Sequence, residues 1–170
     1  MRLTLLLLAV IALPSPLQAV QTTTVIIVRH AEQDYDSDER DPILSAAGEA
    51  RAQELVRVLR EVEIDAIYST PLHRTRDTAQ PVAQLLGLEV TETPVQRPFG
   101  EYMADLIRER HAGETVLIVS HSNTVPAIVN ALGGGPFEDL NQDEYDDLFV
   151  VTLSGGQTTV TRLKYGMPTP

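Results

Sequence analysis

The chain contains no cysteine, which excludes disulfides, zinc–cysteine sites and thiol nucleophiles. It equally excludes a lipid attached to cysteine behind the N-terminal apolar run. No His-Glu-x-x-His or comparable metal-ligand spacing occurs. The acidic run Asp143-Glu144-Tyr145-Asp146-Asp147 lacks the spacing and the glycine of a calcium loop, and it reads as a solvated loop leading into a strand. No metal and no cofactor is expected. Basic side chains are scarce, 13 against 24 acidic ones, for a net charge of −11. Such a field argues against nucleic acid or an anionic membrane as a partner. It also repels anionic substrates at long range, so any phosphate site has to be a local pocket of clustered arginine.

Long apolar runs are missing too. The longest, residues 3–13, holds 11 residues, well short of the roughly 20 that cross a bilayer. Arg2 precedes it, Pro14-Ser15-Pro16 breaks it, and the small Ala19 follows. That pattern reads as a secretory signal peptide over 1–19, cut near Ala19. The mature chain would then be periplasmic or secreted, free of a membrane span, with 12 basic side chains against 24 acidic. The 170 residues, 43% of them hydrophobic, suffice for one domain with a core that needs no staple. We place that domain at 20–165, with a short C-terminal tail at 166–170. There is no internal repeat and no interdomain linker, and the oligomeric state is left open.

What is present alternates between two periods. The β-branched run at 23–28 stops abruptly at Arg29-His30 and reads as a buried strand. Ser45 opens an amphipathic helix to about residue 60. A strand at 64–68 follows, then a helix from Pro71 to Leu86 ended by Gly87. A short strand at 88–91, a loop at 94–100 and a helix at 102–110 come next. Residues 115–120 form the clearest buried strand, and a helix at 122–132 stops at Gly133-Gly134-Gly135. Strands at 148–153 and 158–163 flank Ser154-Gly155-Gly156-Gln157 as a hairpin. The expected architecture is an α/β three-layer sandwich, a mostly parallel central sheet flanked by helices, with a C-terminal β-hairpin.

His30 and His121 each sit immediately past a strand. In an open parallel sheet, ligands bind beyond the carboxyl ends of the strands. If the two strands are neighbours, both imidazoles enter one crevice. Arg29 directly precedes His30, and Arg74 falls in the first turn of the helix after the second strand. Guanidinium grips phosphate oxygens bidentately and keeps its charge, while a helix N-terminus adds N–H donors. Taken alone, Arg74 would be read as a surface partner of Asp77. A nucleophilic His30 has to be neutral on one nitrogen, so its other N–H should donate to a backbone carbonyl.

Three segments together carry a resemblance. Val28-Arg29-His30-Ala31-Glu32, Tyr68-Ser69-Thr70-Pro71-Leu72-His73-Arg74-Thr75-Arg76-Asp77-Thr78-Ala79 and Val119-Ser120-His121-Ser122-Asn123-Thr124 resemble the histidine phosphatase superfamily, in its phosphoglycerate mutase-like branch (branch 1). The resemblance spans about residues 23 to 165. It implies that His30 takes the phosphoryl group as a phosphohistidine, while Arg29, Arg74 and His121 complete the catalytic and substrate-binding pocket. Water then releases phosphate without a metal.

The chain departs from that family in places. Ala31 replaces the signature glycine, and a methyl group beside the phosphate would narrow the approach. Ser122 rather than aspartate disfavours the acid-phosphatase and phytase branch. Related enzymes often carry a leaving-group glutamate four residues before a glycine, and counting back from Gly100 gives Gln96. Glu101 is then the candidate general acid, with Glu92 second. His73 belongs at the pocket rim, and His111 is expected to be solvated.

Only 46 residues separate Arg74 from His121, too few for the lid a mutase needs, so hydrolysis is favoured. The expected function is an exported, metal-independent phosphatase acting on a small phosphorylated substrate. Two alternatives stand beside it: a catalytically impaired phosphate-binding module, prompted by Ala31 and Gln96, and a phosphohistidine-protein phosphatase.

Overall fold

The computed structural model describes residues 21–37 and 40–169. The signal peptide expected at 1–19 lies outside the described residues. The elements run β1 (Thr22–Arg29), α1 (Ala46–Leu59), β2 (Ala66–Ser69), α2 (His73–Leu86), β3 (Val90–Glu92), α3 (Phe99–Arg110), β4 (Thr115–Ser120), α4 (Thr124–Ala131), β5 (Asp147–Ser154) and β6 (Gln157–Lys164). One six-stranded sheet has the order β3-β2-β4-β1-β5-β6. Its first four strands are mutually parallel, and β5 and β6 join antiparallel.

Alternation along the central strands builds two cores. Val25 and Ile27 of β1, Val116 and Ile118 of β4, and Phe149 and Val151 of β5 meet Met103 and Ile107 of α3 and Ile128 of α4. The intervening Ile26, Val28, Leu117 and Val119 face the other way, onto Leu55 and Leu59 of α1 and Val82 of α2. Successive strand side chains point to opposite faces, so β-branched runs that are apolar at every position demand helices on both sides. That gives the expected three-layer sandwich with its C-terminal hairpin, turned by Gly155 and Gly156 at φ 57° and 76°. Two consecutive positive φ values are the mark of a tight hairpin turn.

Local signals behave as their chemistry requires. Ser45 caps α1 by accepting from the Gly48 N–H at 3.2 Å, and Gly87 ends α2 in the left-handed region. One boundary differs clearly: α3 starts at Phe99, inside the expected 94–100 loop. Gly100 is not a breaker there. A Cβ at Gly100 would sit 2.5 Å from the Ala127 carbonyl oxygen, so the missing side chain is what lets α3 pack on α4. No helix among the described residues is long and apolar enough to cross a membrane.

Candidate active site

The register of the two central strands sets the site. Arg29 pairs with Ser120, and the His30 N–H donates to the Ser120 carbonyl at 2.8 Å. His30 and His121 therefore leave the sheet side by side, with ring centroids 5.4 Å apart. They line a cavity with Arg29, Arg74, Gln33, Tyr35, Ser122, Asn123 and Gln142. Four expected site residues, Arg29, His30, Arg74 and His121, thus converge. A larger depression between α1 and α2 is lined by Glu49, Gln53, Gln80 and Gln84 and holds no histidine or arginine among the described residues.

His30 is nearly fully buried. Its Nδ1 lies 2.8 Å from the Ala31 carbonyl, which can only accept, so Nδ1 bears the hydrogen and Nε2 keeps its lone pair. Burial, aided by His121, Arg29 and Arg74, pushes its pKa down to about 3. The imidazole is neutral at physiological pH, as a nucleophile requires.

His121 is oriented by a hydroxyl chain. Its Nε2 lies 3.0 Å from Thr70 Oγ1, which lies 2.8 Å from Thr75 Oγ1. The Thr75 hydroxyl donates to the Thr70 and Leu72 carbonyls. Its one hydrogen is thereby spent, so Thr70 donates to Thr75 and His121 Nε2–H donates to Thr70. Burial and then Arg74 and Arg29 lower the His121 pKa to about 4.

The two arginines are held unequally. Arg29 Nη1 donates to the Asn141 and Glu144 carbonyls at 2.8 and 2.9 Å, and its Cζ lies 3.9 Å from the Tyr145 ring centroid. Its Nε is buried with no partner among the described residues. The Nε/Nη2 edge is therefore the free fork, the shape that grips two oxygens of one phosphoryl group. Arg74 Nε is equally buried and unpartnered. Its neighbouring carboxylate is Asp41, 3.8 Å from Nη1, not Asp77. Asp41 also accepts the His73 N–H at the start of α2 at 2.9 Å.

Other expectations fare differently. The Ala31 methyl packs among Leu44 and Ala52 and does not line the cavity, so it does not narrow the phosphate approach. Glu101 is exposed in the first turn of α3, and Glu92 pairs with Arg76 at 3.3 Å. Neither these nor Gln96 lines the cavity. His111, expected in solvent, is buried between Tyr68 Oη at 2.8 Å and Glu114 at 2.7 Å. The acidic run leads into β5 as expected but is solvated only at its start: Asp143 is exposed, while Tyr145, Asp146 and Asp147 are 7%, 5% and 1% exposed. Arg162 and Lys164 on the neighbouring β6 compensate the two carboxylates, which makes their burial affordable. Tyr145, Thr70, Asp41 and the mouth amides were missed. An aromatic inside an acidic run was the one available signal.

Residues 25–97 match the family model "Histidine phosphatase superfamily (branch 1)". That segment, which carries Arg29, His30 and Arg74, is similar to the histidine phosphatase superfamily. Relatives of the chain carry phosphatase names, consistent with a phosphoric monoester hydrolase of the histidine phosphatase type. Phosphoserine phosphatase 1 of Hydrogenobacter thermophilus is 29% identical, over 65% of this chain and 76% of its own length. The Bacillus subtilis protein called "Uncharacterized phosphatase PhoE" is 28% identical, over 66% of this chain and 62% of its own. Among solved structures, Bacillus stearothermophilus YhfR matches with TM-score 0.67 at 21% identity, covering 82% of this chain and 95% of that one. The putative phosphohistidine phosphatase SixA of Agrobacterium tumefaciens matches with TM-score 0.58 at 21% identity, covering 86% and 98%. At such identities these two structures show a shared fold and nothing further.

Proposed function

We propose that the chain is an exported phosphatase that hydrolyses phosphate monoesters through a phosphohistidine on His30, without a metal ion. The observation that carries this reading is a neutral His30, fixed through Nδ1, in one cavity with two guanidinium groups whose buried Nε atoms have no partner among the described residues. The Nε2 lone pair attacks phosphorus and the ester P–O bond breaks. The departing oxygen takes a proton from solvent at the open mouth. Water then attacks phosphorus, the N–P bond breaks, and inorganic phosphate leaves with His30 restored. Arg29 and Arg74 stabilise the charge spread over the phosphoryl oxygens, so the scheme has no step that calls for a Lewis acid. Among the described residues no carboxylate lines the cavity. Export rests on residues 1–19 alone.

Purified protein should hydrolyse p-nitrophenyl phosphate in the presence of a chelator and be inhibited by vanadate. Acid-labile phosphate should be trapped on His30. Replacing His30 with alanine should lower turnover by about 10³-fold or more; retained activity, or phosphate trapped elsewhere, overturns the mechanism. Export is checked by whether the protein recovered from outside the cytoplasm begins near residue 20.

A further inference from the structure

We propose that the site selects phosphate esters whose body beyond phosphorus is uncharged and hydroxyl-bearing, a polyol or sugar phosphate, and discriminates against esters that carry a carboxylate. The inference deepens the phosphatase reading and rests on it. Phosphorus sits by His30, so the rest of the substrate has to lie against the mouth, formed by Gln33, Tyr35, Ser122, Asn123 and Gln142. All five are neutral and polar. Among the described residues, the only cationic side chains lining the cavity are Arg29 and Arg74, and both are committed to the phosphoryl group. His30 and His121 are held neutral. A substrate carboxylate would therefore enter a partly desolvated mouth with no counterion, which is costly. It would also lie near Asp41, which already faces Arg74, and near Asp143 and Glu32, whose fields reach Arg29.

Hydroxyl groups fit the same mouth. Each both donates and accepts, and each side-chain amide offers both functions in return. Gln33 presents a direct vacancy for one: its Oε1 is buried with no hydrogen-bond partner among the described residues. A substrate hydroxyl donating there would satisfy an acceptor that otherwise stays unpaired at a cost. A carboxylate, having no hydrogen to give, leaves Oε1 unpaired and adds repulsion between oxygens.

The test uses matched pairs that differ only in CH2OH against carboxylate: glycerol 3-phosphate with 3-phosphoglycerate, and glucitol 6-phosphate with 6-phosphogluconate. Phosphoethanolamine adds a cationic body. Turnover is measured on the wild-type full chain, and binding of the same compounds is titrated on the His30→Ala protein. The neutral member of each pair should lead by at least about tenfold in kcat/KM and in affinity. The preference should survive roughly 0.5 M salt, where charges beyond about 4 Å are screened. Gln142→Lys should narrow the ratio severalfold. Equal or better use of the carboxylate esters, preference for phosphoethanolamine, or a preference that vanishes in salt each overturn the inference. Absent turnover of every ester, p-nitrophenyl phosphate included, would sink the phosphatase reading instead, while the titrations still decide on substrate class.

Discussion

The inner wall of the cavity and its outer mouth are built on different principles. On the inner wall, His30, Arg29 and His121 leave the ends of two paired strands, and each is tied to backbone or buried hydroxyls. Arg29 keeps one fork edge free because the Asn141 and Glu144 carbonyls and the Tyr145 ring restrain the rest. Between that wall and the mouth, Arg74 lies in the first turn of a helix, is partly exposed, and has one carboxylate 3.8 Å away. The inner wall is preorganised for the phosphoryl group, as charge development in a transition state requires. The mouth is free to adjust to whatever the phosphate is attached to.

The largest effect should separate the two arginines. Arg29→Lys loses the planar fork and leaves the two carbonyls with one flexible ammonium. It should lower kcat/KM by about 10²–10³-fold, mostly in kcat. Arg74→Lys should cost about tenfold, mostly in KM, because lysine remains a usable point charge at a partly open rim. Steady-state kinetics with thermal midpoints alongside decide it. Equal losses for the two variants would erase the distinction between the wall and what lies outside it.

Acid should attack the inner wall first. The pKa values of His30 and His121 fall from the usual 6.5 to about 3 and about 4 on folding. Between those values and 6.5 the unfolded chain binds more protons than the folded one, so stability falls as pH falls through that window. Close to two protons are taken up on unfolding at pH 5, and lowering the pH from 7 to 5 should cost about 2–4 kcal/mol. Denaturant unfolding across that range measures it. His30→Asn and His121→Asn should each remove about half of the slope, and an unchanged slope in both would mean that the wall is not held neutral.

This contrast also explains what the sequence could disclose. The strand ends were legible because β-branched runs of 23–28 and 115–120 stop at a histidine, and strands of that kind pair in the middle of a sheet. Convergence of Arg29, His30, Arg74 and His121 follows from three local motifs and one rule about strand ends. The start of α3 was not legible, since Gly100 reads as a breaker until Ala127 of another helix lies against it. Likewise His111, Asp146 and Asp147 look solvated until Tyr68, Arg162 and Lys164 arrive from distant elements. Buried polar groups are defined by partners, and partners more than a few residues away leave no periodic trace. The mouth amides are scattered singles for the same reason.

Tyr145 gives the smallest and sharpest probe, because it belongs to the wall without touching the position of phosphorus. Its ring covers the Arg29 guanidinium and meets His30 edge-on at 6.0 Å between centroids. Burial lifts its phenol to about 12, so at working pH it offers a neutral face. A cation over a desolvated aromatic ring is worth about 1–2 kcal/mol, and removing the ring also frees the guanidinium to rotate. Tyr145→Ala should therefore lower kcat about tenfold, whereas Tyr145→Phe, which keeps the face, should stay within about twofold. A merely structural tyrosine would instead lose thermal stability in both variants while kcat per folded molecule stayed constant. Rescue by phenylalanine in kcat, read beside vanadate affinity, distinguishes a restrained Arg29 from a filled core. If alanine leaves kcat intact, the fork is positioned by the two carbonyls alone, and the wall is simpler than its contacts imply.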